Sequence, residues 1–143
     1  MSPRLVPELD VEDLDRSLWF YTEILGFRVR FDRPEERFAF LDLDGAELML
    51  EEASGPGRRF RTAPLEHPYG RGVNLQIEVA DVDALLHRLT LAGIVPLMPR
   101  EERWYETGSV LSGNRQFVVS DPDGYLLRFF TDLGERSSPP DSD

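Results

Sequence analysis

Apolar and polar positions follow two alternating periods along the 143 residues. Leu5 to Val11 is a short strand-like run. Behind Asp13, a residue type suited to a helix N-cap, Leu14, Leu18, Tyr21 and Leu25 recur at helical spacing until Gly26 stops them. That predicts an amphipathic helix of about three turns. Phe27–Phe31 alternates as a strand, Phe38–Leu43 follows, and Asp44-Gly45 is a hairpin turn into Ala46–Glu51. The predicted order is β-α-β-β-β.

The same order recurs downstream. Val11-Glu-Asp-Leu-Asp15 is echoed 68 residues later by Val79-Ala-Asp-Val-Asp83, as are Leu18 by Leu86 and Thr22 by Thr90. Farther on the offset becomes 79: Phe38 answers Phe117, Asp42 answers Asp121, Asp44-Gly45 answers Asp123-Gly124, and Leu48 answers Leu127. The second copy therefore carries about eleven extra residues, between Gly93 and Phe117. Its elements are a strand over Val73–Val79, a helix capped by Asp81 and stopped by Gly93, and strands over Val95–Met98, Gln116–Ser120 and Tyr125–Thr131. The expected fold class is α+β: two βαβββ modules in a pseudo-twofold arrangement, whose curved sheets enclose a cupped cleft. One domain over 1–133 is expected, with module one at about 5–53, a Gly-, Pro- and Arg-rich linker at about 54–72 and module two at about 73–133. Gly134–Asp143 reads as a disordered acidic tail.

Composition narrows the function. The absence of cysteine removes disulfides, thiolate metal sites and a cysteine nucleophile, and fits a reducing cytoplasm. The net charge of −11, nearly all of it in the folded body, repels nucleic acid and anionic membranes and attracts cations. No apolar run approaches the ~20 residues of a membrane span, and the N-terminus has no signal-peptide core. The expected partner is a small molecule, not a nucleic acid or a membrane.

The segment Val11-Glu-Asp-Leu-Asp-Arg-Ser-Leu-Trp-Phe-Tyr-Thr-Glu-Ile-Leu-Gly-Phe27, with Arg115-Gln-Phe-Val-Val-Ser-Asp-Pro-Asp-Gly-Tyr-Leu-Leu-Arg128, resembles the vicinal oxygen chelate superfamily. That superfamily includes glyoxalase I, extradiol dioxygenases, metal-dependent fosfomycin-inactivating enzymes and the bleomycin-resistance binding proteins. The likeness runs from Leu5 to Leu133. Its enzymes hold a divalent metal with side chains from the first and last strand of each module, and the motifs align those positions with Val6, Met49, Asn74 and Arg128. Val6 and Asn74 stand 68 apart and Met49 and Arg128 79 apart, the two offsets of the internal repeat. Valine, thioether, amide and guanidinium do not make a shell for a hard divalent ion. A shifted register would offer Glu8, Glu47 or Glu51 instead, and with them a metal-dependent lyase or dioxygenase as the alternative function.

The resemblance implies non-enzymatic sequestration of a bulky cationic or planar aromatic antibiotic of the bleomycin type, without a cofactor or catalytic residue, by a homodimer. Pro7 matches the proline at which such proteins swing an N-terminal arm across the dimer, and reads equally as a strand-start proline. Phe38 matches an aromatic used against the drug's planar bithiazole. Trp104 and Tyr105, in the inserted segment Glu101–Gly108, are candidate stacking platforms on a loop. Tyr69 in the linker, Met49 and Glu51 on the fourth strand, Asn74 and Gln76 on the fifth, and Arg128 on the last complete the expected ligand-binding set. Asp32, Glu35, Glu36, Glu51 and Glu52 are expected to rim the cleft with negative charge. His67 and His87 read as ordinary histidines, with a general acid/base role for His67 if the linker covers the cleft.

Overall fold

The computed structural model describes residues 3–137. The first module comprises strand β1 (Glu8–Val11), helix α1 (Leu14–Leu18), which continues over Trp19–Ile24, and strands β2 (Arg28–Arg33), β3 (Phe38–Leu43) and β4 (Ala46–Glu52). The second comprises β5 (Asn74–Glu78), α2 (Val82–Leu91), β6 (Met98–Thr107), β7 (Val110–Ser120) and β8 (Leu126–Ser137). Each module forms one four-stranded mixed sheet, in the orders β1-β4-β3-β2 and β5-β8-β7-β6. The fold is α+β, with two modules of the βαβββ kind.

Both helices start as their sequences dictate. The Asp13 carboxylate accepts from the Arg16 N–H, and Asp81 accepts from the N–H groups of Asp83 and Ala84. Past Leu18 the first helix widens, and the Leu25 N–H reaches back five residues to the Phe20 carbonyl. The wider turn keeps Phe20, Tyr21, Ile24 and Leu25 all buried.

Strand register reproduces the repeat. In the first sheet β1 runs parallel to β4 with Glu8 opposite Met49; in the second β5 runs parallel to β8 with Gln76 opposite Arg128. Glu8 and Gln76 are 68 apart and Met49 and Arg128 are 79 apart. The side-chain alternation of a strand then puts Glu8, Asp10, Met49 and Glu51 on one face of the first sheet. Gln76, Arg128, Gln116 and Val118 take the matching face of the second.

The opposite faces meet. Leu9, Val11, Leu41, Leu48 and Leu50 from the first sheet join Ile77, Phe117, Val119, Leu127 and Phe129 from the second, with both helices, in a single core. Phe129 lies in this core and Phe130 on the other face, as the alternation of the last strand requires. Polar ties cross between the halves: the Tyr21 hydroxyl donates to Asp121 Oδ2 at 2.7 Å, and the Tyr125 hydroxyl donates to the Asp10 carbonyl at 2.9 Å. Asp123, fully buried, accepts from the Glu12 N–H, from Arg16 and from Ser17.

Three boundaries differ from the sequence reading. The extra residues of the second module are not a loop: they lengthen β6 and β7 into a hairpin around Gly108, with Thr107 opposite Val110. Of the tail expected over Gly134–Asp143, Gly134–Ser137 instead continue β8 and pair with Val110–Gly113; residues 138–143 lie outside the described residues. The opening strand is shorter than Leu5–Val11. Pro7 precedes it, and the Pro7 carbonyl accepts from the Met49 N–H, so this segment pairs with β4 of its own chain.

The linker docks on both modules. Arg59 donates to the carbonyls of Glu52 and Glu36, and Arg61 to the Ala53 carbonyl and the Asp10 carboxylate. At its far end the Tyr69 N–H donates to the Asp123 carbonyl, and Pro68 sits so close to Gly124 that a Cβ there would come within 2.3 Å of it. Gly124 is also held at φ +91°, so glycine is required twice over.

Candidate functional site

The second sheet's open face carries a cavity of about 570 Å³. Asn74, Leu97, Met98, Glu101, Arg103, Tyr105, Gln116, Val118, Leu126 and Arg128 line it. One module therefore supplies the whole lining, where the sequence reading set a cleft between two. The antiparallel ladders of β6, β7 and β8 put Glu101, Gln116 and Arg128 on the same face, which is why they converge.

A polar network forms the floor. Gln116 is 2% exposed and its Nε2 donates to Glu101 Oε1 at 3.1 Å and to the Tyr105 hydroxyl at 2.7 Å. Because a carboxylate only accepts, the contact with Glu101 fixes which end of the amide is nitrogen. Its Oε1 is left buried without a protein partner among the described residues, and so is Arg128 Nε, although Arg128 Nη2 donates to the Gln76 side chain. Gln116 was not among the expected site residues. Its signal was legible, since a glutamine between Arg115 and the apolar run Phe117–Val119 is an unusual thing to bury.

The first sheet's open face is smaller in volume and opposite in charge. Glu8, Asp10, Glu51 and the linker's Phe60 line a pocket of about 100 Å³. Burial, and then the neighbouring Glu8 carboxyl, push Glu51 up to about 7 against the partial counter-effect of Arg59. Beside this pocket Phe31 stacks on Phe40 with ring centroids 4.9 Å apart.

The expected ligand-binding residues divide accordingly. Asn74, Tyr105 and Arg128 line the larger cavity, Gln76 holds Arg128, and Met49 and Glu51 share the first sheet's open face. Phe38 is 3% exposed with the Arg33 guanidinium 4.1 Å over its ring, whereas Phe31 is 47% exposed. Trp104 and Tyr105 are strand neighbours and point to opposite faces: Trp104 packs flat on Gly113 with the Arg136 guanidinium 4.0 Å over its ring, away from the cavity. Tyr69 packs edge-on against Tyr125 at the docked end of the linker, with His67 beside it. His87 lines a separate groove on α2. Of the expected acidic rim, Glu36 pairs with Arg33. Glu52 pairs with Arg37 and accepts from the Leu14 N–H, which lowers its pKa.

The four positions that the resemblance aligns with the family's metal ligands, Val6, Met49, Asn74 and Arg128, carry no anionic oxygen. Met49 and Arg128 stand on the open faces as a thioether and a cation, Asn74 contributes only an amide, and Val6 has no donor. Among the described residues no group of three or more His, Cys, Asp and Glu side chains is disposed to hold a metal ion. No helix among them is long and apolar enough to cross a membrane.

Comparison with known proteins adds ancestry. The family described as Glyoxalase/Bleomycin resistance protein/Dioxygenase superfamily matches residues 7–129. A bleomycin resistance protein from Geobacillus stearothermophilus is 30% identical over 135 residues, spanning 90% of this chain and 96% of its own. Among solved structures, TioX from Micromonospora sp. ML1 superposes with a TM-score of 0.69 at 26% identity, over 92% of this chain and 100% of that one. A protein of unknown function from Agrobacterium tumefaciens str. C58 gives 0.68 at 26% identity, over 93% and 97%.

Proposed function

This chain belongs to the glyoxalase/bleomycin resistance protein/dioxygenase superfamily, and from that premise we propose that it binds and sequesters a bulky cationic or planar aromatic antibiotic of the bleomycin type, as a cytoplasmic resistance protein. What supports this reading is the chemistry of the four positions that the resemblance aligns with the metal ligands of the family's enzymes. A guanidinium at Arg128 repels a divalent ion, and Val6, Met49 and Asn74 give it no anionic oxygen. What remains suits binding: a cavity within the ~300–1,000 Å³ of small-molecule sites, with polar and charged groups set among four apolar side chains and an aromatic ring on its wall.

Two open faces of opposite character favour a ligand with two kinds of group. On the first sheet Glu8 stands beside Asp10, paired with Arg61, and Glu51, paired with Arg59, and would offer a cation its carboxylate, while Phe31 offers a ring for stacking. We take the working unit to be a homodimer, because Phe31, Phe60, Leu97 and Tyr105 are all exposed around these faces and would gain cover from a second copy. Light scattering tests that point.

The decisive experiment is calorimetric titration with metal-free bleomycin. The expected result is saturable binding with a dissociation constant in the micromolar range or tighter. No heat at millimolar ligand, with the protein folded, would overturn the proposal.

A further inference from the structure

We infer that the cavity on the second sheet recognises an amide group, taking its carbonyl oxygen at Arg128 Nε and its N–H at Gln116 Oε1. This rests on the sequestration reading above only for the identity of the larger ligand that carries the amide.

The two atoms are a matched pair. One is a donor, one an acceptor, and both are buried without a protein partner among the described residues. Folded proteins satisfy nearly all buried polar side-chain atoms, so two such orphans in one cavity call for an explanation. They stand on neighbouring strands of one face: Arg128 is paired with Val118, and Gln116 lies two residues along β7 in the diagonal relation, with Cα atoms about 7–8 Å apart.

Neither orphan arises from a free choice of rotamer. The Gln116 amide is pinned by Glu101 and Tyr105 through its nitrogen, which turns its oxygen away from β6. Arg128 is tethered at Nη2 by the Gln76 carbonyl. Both orphan atoms lie beneath the lining, so entry of a ligand must turn the half-exposed Tyr105 ring aside.

The pair discriminates between ligand chemistries. A carboxylate would satisfy Arg128 but set its negative charge against Gln116 Oε1 and the Glu101 carboxylate. An ammonium would satisfy Gln116 and be repelled by Arg128. A primary or secondary amide satisfies both atoms at no charge cost. The class of ligand is therefore a peptide-bond-bearing or carboxamide-bearing molecule.

The test is NMR titration of 15N-labelled full-length protein, following the Arg128 Nε–H and Gln116 side-chain NH2 resonances, with benzamide, benzoate and benzylammonium as probes. Benzamide should move both signals saturably, and the other two should bind about tenfold more weakly, the cost of one lost hydrogen bond. Arg128→Met and Gln116→Met should each weaken benzamide by a similar factor; should the buried Gln116 variant not fold, the less buried Arg128 variant still decides. Benzoate binding as tightly as benzamide would mean a plain anion site, and no response to benzamide would mean no amide site; either overturns the inference. Bleomycin separates this from the broader proposal. Undiminished bleomycin binding by both variants sinks the amide site and spares sequestration, whereas benzamide binding without bleomycin binding sinks sequestration and spares the amide site.

Discussion

The hydroxyl of Tyr21 donates to the Asp121 carboxylate across the two halves of the chain, 100 residues apart in sequence, with both side chains buried. Asp121 Oδ1 is meanwhile satisfied by the N–H groups of Asp123 and Tyr125, which shape the turn into β8. Burial raises the Asp121 pKa, and the bonds from Tyr21 and the turn oppose that rise. Tyr21→Phe removes the only partner of Oδ2 among the hydrogen bonds of the described residues while preserving the ring. The expected loss is about 1–3 kcal/mol, the cost of an unsatisfied buried acceptor, read as a lower urea midpoint with an unchanged m-value. An unshifted midpoint would mean that this contact does not help to hold the modules together.

Glu51 supplies the pH dependence. Its carboxyl titrates at about 7 in the folded protein, chiefly from burial and then from Glu8, against about 4.3 in an unfolded chain. The folded state therefore holds this proton more tightly, so the stability it contributes is fully present below about pH 4.3 and is lost as pH rises through about 7. Glu51→Gln imitates the protonated form. The variant should match the wild type near pH 3.5 and exceed it increasingly up to pH 8 in thermal midpoint. A variant less stable than the wild type at pH 8 would show that the ion pair with Arg59 outweighs burial.

Much of the fold was legible because the repeat constrained it. The offsets of 68 and 79 recur in the strand register, where Glu8 pairs with Met49 and Gln76 with Arg128, and the Asp13 and Asp81 caps lie where the helical periods begin. The β6–β7 hairpin was not legible. Its arms are solvated along much of their length, so Glu101–Thr107 carries no apolar alternation, and Gly113 and Asn114 interrupt the pattern just where β7 bulges against β8. The site was legible by residue type more than by direction. Phe38 and Trp104 are aromatic as a binding site requires, but each is covered by an arginine from another strand, Arg33 and Arg136, and only the paired register reveals that.

Gly113 is where Trp104 can be tested. The two residues are cross-strand partners, and a Cβ on Gly113 would lie 2.6 Å from the indole ring. Gly113→Ala must push the ring off the strand and out from under Arg136. In a Trp19→Phe background, which leaves Trp104 as the sole tryptophan of the chain, its emission should shift to the red, with a stability loss of about 1–3 kcal/mol from overpacking. Affinity for bleomycin should stay within about twofold of the Trp19→Phe parent, a change under about 0.5 kcal/mol, because the indole faces away from the cavity.

Phe31 and Phe38 separate binding from folding on the first sheet. Phe38 is 3% exposed, so Phe38→Ala should cost about 3–5 kcal/mol through lost burial and the cavity left behind. Phe31 is half-exposed and stacks on Phe40, so Phe31→Ala forfeits about 0.5–1.5 kcal/mol of ring contact and leaves the fold intact. A planar ligand docking on this face must meet Phe31, because Arg33 already occupies the face of Phe38. The expected outcome is that Phe31→Ala weakens bleomycin about tenfold in calorimetry, equivalent to the loss of one stacking contact. If Phe31→Ala binds as the wild type does, aromatic recognition belongs to Tyr105 on the second sheet, and the first sheet's part in binding reduces to its charge.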